Sequence, residues 1–314
     1  MKKSLLFLFF GFDVLLILAY VGASAYFADL LVAGAVQPVT AELVADAQGR
    51  LDPFGIPAPE NVAIPATAEI DLASYFYDNP ANGNCGMVIL HGYTGSGHNM
   101  TGFIPMFWAR GCEIITYDAR GHGNSSAALH TFGYYEREDA SAVVDWLSER
   151  TGVPASNIGL LGVSYGAATS LQTLALRDDL AFVIADSAYQ DYETIVSYQG
   201  VAQYGEWLNL LVWGAINVAE LRADFEMDDV SPMNIVGGKQ TPVLLIHAKE
   251  DSFTFASHSE AIFANANPDR AELHITDWGN DHGASRVTDP EAYEAIVGEF
   301  IATHVGEFGQ PAGR

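Results

Sequence analysis

Gly162-Val163-Ser164-Tyr165-Gly166 has the form Gly-x-Ser-x-Gly. The apolar stretch Asn157–Leu161 ahead of it reads as a buried strand, and Ala167–Leu176 behind it reads as a helix. Strand, tight turn and helix turn a common pentapeptide into a nucleophile elbow. The serine of such a turn occupies a strained backbone position, so its neighbours two before and two after must be small. Glycine satisfies both. The turn also aims a helix N-terminus at the hydroxyl. Its free N–H groups and positive partial charge suit a developing oxyanion.

A serine hydroxyl is weakly acidic and needs a base, and the base needs a group to orient it. Nine histidines compete. His282 sits in a Gly-bounded loop after the last expected strand, at the same edge as the elbow. His274 falls within that strand, His304 within a helix, and His247 ends a strand ahead of the acid loop. His282 is therefore the candidate base. Asp251 follows the strand Pro242–His247 and precedes His282, which gives the order Ser, Asp, His. Glu250, adjacent to it, and Asp186, at the end of the strand Ala181–Ala185, are the alternative acids.

A second glycine-rich turn, His91–Gly97, follows the strand Met87–Leu90. Its glycines let backbone approach a ligand, and the N–H of Tyr93 is the expected second oxyanion donor. His91 reads as a brace for this loop. Asp118, Arg120 and His122 form a polar cluster after the strand Cys112–Tyr117, and they too read as a brace rather than a substrate contact.

The chain that must position these groups has 314 residues and is 49% hydrophobic, ample for one large α/β domain. Its net charge of −25, from 39 acidic and 14 basic residues, repels phosphate backbones, so no nucleic-acid partner is expected. Two cysteines exclude a disulfide scaffold. No Walker loop, HExxH, EF-hand or CxxC pattern occurs, and neither cofactor nor metal is expected.

Residues 1–33 read as a membrane anchor or a signal segment. Between Leu5 and Phe27 lie fourteen Leu, Ile, Phe or Val residues, contributing about −7 kcal/mol toward insertion against about +3 for Asp13. The preceding lysines favour a cytoplasmic N-terminus and an exported body. A cleaved signal ending at Ala23-Ser24-Ala25 is the alternative to a retained single-pass anchor. Residues 34–60 read as a spacer with a helix at Val39–Ala47, and 61–308 as the catalytic domain. That domain opens with strands at Asn61–Pro65 and Glu69–Tyr77 and a turn at 78–83. Helices are expected at Tyr134–Arg150, Ser257–Ala264 and Pro290–His304, a last strand at Glu272–Ile275 and a loose tail at 309–314. Residues 188–232 break the strand-helix rhythm and carry Tyr189, Tyr192, Tyr198, Tyr204, Trp207 and Trp213. They read as a small helical lid whose apolar face receives an acyl chain, with about half of these aromatics simply packing on the core. Cys85 and Cys112 each precede a strand. If those strands are parallel neighbours, export makes a disulfide between them chemically possible.

Five segments together resemble the α/β-hydrolases, among them membrane-anchored bacterial serine hydrolases near the BEM46-like and prolyl-oligopeptidase-like esterases. They are His91–Gly95, Tyr117–Gly123, Gly162–Gly166, His247 with Asp251, and His282-Gly283. The resemblance spans roughly residues 60–305. It implies a mostly parallel eight-stranded sheet flanked by helices, Ser164, Asp251 and His282 as triad, and the N–H groups of Tyr93 and Tyr165 as oxyanion hole. The implied partner is a small-molecule ester or acyl substrate, with peptide or thioester bonds as the alternative and a binding protein without turnover as a more distant one. Tyr93 stands where Phe is frequent in the family, and the acid loop lacks the usual Pro.

Overall fold

The computed structural model describes residues 2–34, 36–67, 69–81, 83–279, 281–306 and 308–309, with side chains from residue 11 onward. Asn82 in the expected turn, Asn280 ahead of His282, and residues 310–314 of the expected tail lie outside the described residues.

Eight strands form one sheet: β1 (Glu60–Thr67), β2 (Ile70–Tyr77), β3 (Gly86–Leu90), β4 (Glu113–Tyr117), β5 (Ile158–Val163), β6 (Phe182–Asp186), β7 (Val243–Ala248) and β8 (Ala271–Thr276). The helices are α1 (Lys2–Val32), α2 (Ala41–Leu51), α3 (Ile104–Trp108), α4 (Glu136–Thr151), α5 (Tyr165–Thr173), α6 (Tyr192–Tyr204), α7 (Asn209–Ala223), α8 (Pro232–Ile235), α9 (Ala256–Asn265), α10 (Ser285–Thr288) and α11 (Pro290–His304). The strand order is β1-β2-β4-β3-β5-β6-β7-β8. β2 runs antiparallel to β1 and β4, and β3 to β8 are mutually parallel.

Strands buried on both faces must be apolar along their whole length. β3 and β5 read that way, β4 and β7 carry only Glu113, Thr116 and His247 as polar interruptions, and all four are almost wholly buried. Successive side chains point to opposite faces. Val88 and Leu90 therefore pack with Ala140, Val144 and Leu171 of α4 and α5. Met87 and Ile89 pack on the other side with Phe107, Val297 and Phe300 of α3 and α11. Local signals set the helix ends. Asp289 caps α11 by accepting from Ala292 N–H at 3.0 Å, with Pro290 in the first turn. Asp191 caps α6 from Thr194 N–H at 2.7 Å.

Because β3 and β4 are adjacent and parallel, Cys85 and Cys112 stand side by side, Cα atoms 4.6 Å apart, and form a disulfide. The parallel strands all end at one edge of the sheet, where the loops after β3, β5, β7 and β8 meet. Binding sites of open α/β sheets form at such carboxyl ends. A third apolar cluster lies above this edge and joins Ala28 and Val32 of α1 to Ala168, Tyr192, Ile195 and Ala219.

Candidate active site

Ser164 sits directly after β5 with φ 56° and ψ −114°, a left-handed backbone position that non-glycine residues rarely hold. Its N–H donates to the Asp186 carbonyl at 2.8 Å, and its carbonyl accepts from Ala168 N–H at 3.0 Å, so the turn is tied to β6 and α5. The two elbow glycines are steric necessities. A Cβ on Gly162 would collide with the Gly166 backbone, and one on Gly166 with the Leu90 carbonyl. Tyr165 opens α5, where an N–H has no intrahelical acceptor. The β3 loop lies alongside: a Cβ on Gly92 would stand 3.7 Å from that of Ser164.

Asp251 follows β7 and is buried. Its Oδ1 accepts from Phe253 N–H and Thr254 N–H, both at 2.9 Å, and its Oδ2 accepts from His282 Nδ1–H at 2.7 Å. His247 Nε2 lies 3.3 Å from the same oxygen and donates to the Thr254 carbonyl. Burial alone would raise the carboxyl pKa, but hydrogen bonds from His247 and His282 outweigh it and hold Asp251 well below the ordinary range. Glu250 is exposed. Asp186 makes no hydrogen bond to His282. It accepts from Ser187 Oγ at 2.9 Å, and burial raises its pKa to about 6.

His282 is placed by the loop after β8. Gly283 N–H donates to Ser187 Oγ at 3.2 Å, and a Cβ on Gly283 would stand 2.9 Å from Val163, next to Ser164. With Nδ1 on Asp251, the Nε2 of His282 is buried and has no hydrogen-bond partner among the described residues. No hydrogen bond joins it to Ser164 Oγ in this state; such contacts often tighten only when substrate binds.

The loop after β3 is stiffened from beneath. His91 Nδ1–H donates to the Gly92 carbonyl at 2.7 Å, and its Nε2 accepts from Ala119 N–H at 2.9 Å. Burial lowers its pKa to about 4, in keeping with a neutral ring that must accept at one nitrogen. Burial lowers His122 to about 3, and also lowers His130. The Tyr93 ring packs 5.3–5.9 Å from His122, His130, Phe132 and Tyr165. Asp118 accepts from Gly97 N–H and Asn124 N–H, each at 2.8 Å, and Arg120 forms a buried, two-pronged pair with Asp139 at 2.6 Å. Both braces match the sequence expectation.

Beside Ser164 opens a cavity of about 370 Å³. Its walls are Tyr93, Phe132, Tyr189 and Tyr192, α6, the start of α7, Phe253 and Thr254, and the end of α1 through Phe27, Leu30 and Leu31. None of the described lining residues carries a charge. A wider groove of about 950 Å³ between α2 and the β1–β2 edge contains none of the candidate site residues. Sequence reading missed three contributors. Ser187, at φ 58°, ties the histidine loop to the end of β6, Phe132 lines the cavity at φ 53°, and α1 supplies a wall. None had a motif to betray it.

Residues 40–230 match the profile of X-Pro dipeptidyl-peptidase (S15 family). The chain is 28% identical over 247 residues to YqkD of Bacillus subtilis, covering 76% of this chain and 77% of that one. It is 28% identical over 206 residues to YfhR of Escherichia coli, covering 62% and 65%. Among solved structures, the Pyrococcus furiosus esterase Pf2001 superposes with a TM-score of 0.64 at 23% identity, covering 85% of this chain and 96% of that one. An acylaminoacyl peptidase of Pyrococcus horikoshii gives 0.62 at 17% identity, covering 84% and 44%. The last two likenesses speak to the fold; the family match covers more than half of the chain. The chain thus belongs to the X-Pro dipeptidyl-peptidase (S15) family and is a serine hydrolase of the α/β-hydrolase superfamily.

Proposed function

We propose that Ser164, His282 and Asp251 are the catalytic triad of a carboxylic-ester hydrolase acting on acyl-bearing substrates. Ser164 Oγ attacks the ester carbonyl while His282 Nε2 takes its proton. The N–H groups of Tyr93 and Tyr165 stabilise the oxyanion, each worth about 3 kcal/mol in the transition state. His282 then protonates the leaving alcohol, and the acyl group remains on Ser164. Water, deprotonated by the same imidazole, releases the acid. Asp251 fixes the ring with Nε2 free for these transfers.

The observation that carries this reading is the uncharged apolar cavity against Ser164, combined with an Asp251–His282 pair already formed. The family name favours a second reading, peptide cleavage. A dipeptidyl-peptidase must hold the free ammonium of its substrate, and a carboxylate is the natural partner. No Asp or Glu occurs among the described lining residues, which favours an acyl group there instead. A thioester would fit the same cavity and triad.

On the same reading the body lies outside the cytoplasm and α1 stays as an anchor. Gly11–Val32 is long and apolar enough to cross a membrane. The Cys85–Cys112 disulfide suits an oxidising compartment. Ser24, within the alternative cleavage site, is buried against α7, so cleavage there would cut into a packed interface.

A fluorophosphonate probe should label the wild type and leave Ser164→Ala unlabelled, while p-nitrophenyl acyl esters are hydrolysed faster than matched dipeptide amides. Labelling that persists in Ser164→Ala would refute the assignment, and faster amide cleavage would move the reading to a peptidase.

A further inference from the structure

The end of α1 is built into the reaction centre. His130 N–H donates to the Val32 carbonyl at 2.8 Å, and Gln37 N–H donates to the carbonyl of Thr94, in the oxyanion loop, at 3.1 Å. Gly34 abuts the Tyr93 hydroxyl, where a Cβ would collide. Phe27, Leu30 and Leu31 face the cavity.

α7 lies along α1. Gly214 permits the close approach, because a Cβ there would strike Tyr20 and Ser24. Further on, Arg222 pairs with Asp29 at 2.8 Å, both about half exposed. Tyr20 precedes Asp29 by nine residues, about 13 Å along the helix axis. With the charged pair held in water at the outer surface, the start of α7 lies roughly that much deeper, within the outer leaflet. Its outward face is largely apolar, with Glu206 and Asn209, hydrogen-bonded to each other at 3.1 Å, as the polar exceptions. Leu210 is 76% exposed and Trp213 71%, and Trp207, just ahead of the helix, is 53% exposed. Large apolar side chains grouped on a surface mark a contact site, and tryptophan favours the membrane interface. On α1 itself, Leu15 to Leu18 and Val21 are exposed as well.

We propose that the cavity takes the long acyl chain of a lipid ester residing in the outer leaflet of the bilayer that α1 crosses. The face of Trp207, Leu210 and Trp213 rests in that leaflet, and the end of α1 is the pocket wall nearest to it. The inference rests on the serine-hydrolase reading above, whose failure would show differently.

The test uses the full chain in phosphatidylcholine vesicles, with two substrates: a fluorogenic palmitoyl lipid ester in the bilayer and p-nitrophenyl acetate in the water. The double variant Leu210→Glu/Trp213→Glu changes only the outward face. It should lose tenfold or more on the vesicle-borne ester and keep acetate hydrolysis within twofold. Brominated lipids should quench Trp207 and Trp213, and this quenching should vanish in Trp207→Phe/Trp213→Phe. Acetate hydrolysis with no cleavage of the lipid ester, equal loss on both substrates, or absence of quenching would each overturn the inference. Hydrolysis of neither ester by the wild type would instead bring down the serine assignment, and this proposal with it.

Discussion

The two halves of the site are held by different forces. At the sheet edge every catalytic candidate is tied by hydrogen bonds: Ser164 to Asp186, Asp251 to two amides and His282, Gly283 to Ser187, and His91 to the oxyanion loop. Across the cavity, α1, α6 and α7 present apolar side chains. Hydrogen bonds are directional and fail steeply when distorted. Apolar contact scales with area and tolerates exchange of shape. On the function proposed above, the polar half would decide whether a bond is cleaved, and the apolar half which acyl group is delivered to it.

That contrast predicts steep effects on one side and graded effects on the other. Ser164→Ala should lower kcat by roughly 10⁶, the scale set by triad removal in other serine hydrolases, measured as ester hydrolysis under single-turnover conditions. Asp251→Asn should cost roughly 10⁴ in kcat with KM little changed, because the ring loses its enforced tautomer. Glu250→Gln, exposed beside it, should stay within about twofold of wild type on the same assay. A large loss in Glu250→Gln would move the acid by one residue.

The brace beneath the oxyanion loop makes a pH prediction. His91 titrates at about 4 in the folded protein, against about 6.5 when unfolded. The unfolded chain thus binds more protons between these values, so this contribution to stability is lost as pH falls and regained as it rises. Relative to His91→Asn, the wild type should lose about 3 kcal/mol between pH 6.5 and pH 4. Denaturant unfolding at each pH measures it, and a flat difference would show that the ring is not held neutral. On the apolar side, Leu211→Trp should shorten the preferred acyl chain, changing the long-to-short kcat/KM ratio by about tenfold while leaving acetyl esters cleaved. An unchanged ratio would place the acyl chain elsewhere.

The chemical half was largely legible because its constraints are local. A strained serine requires glycine at 162 and 166, and alternating apolar strands announce their own edges. The helix expected at Pro290–His304 was found with those bounds, since Asp289 and Pro290 mark its start. The elbow helix expected at Ala167–Leu176 runs from Tyr165 to Thr173, because the turn passes straight into the helix. Chain order favoured Asp251 as the partner of His282, but Glu250 and Asp186 also lie at strand ends and stayed open as alternatives. The register and loop directions select Asp251. Ser187 gave no sign at all, being an ordinary residue whose value lies in what the fold sets beside it.

By itself the sequence determined the serine elbow, the order of the candidate serine, acid and base, and an N-terminal helix apolar enough for a membrane, because each rests on residue type and spacing along the chain. Tertiary structure decided that Cys85 meets Cys112, that Phe132 and Ser187 serve the site, and that the last turns of α1 become a cavity wall. An apolar side chain on a helix carries no address. Only packing determines whether it faces lipid, core or substrate.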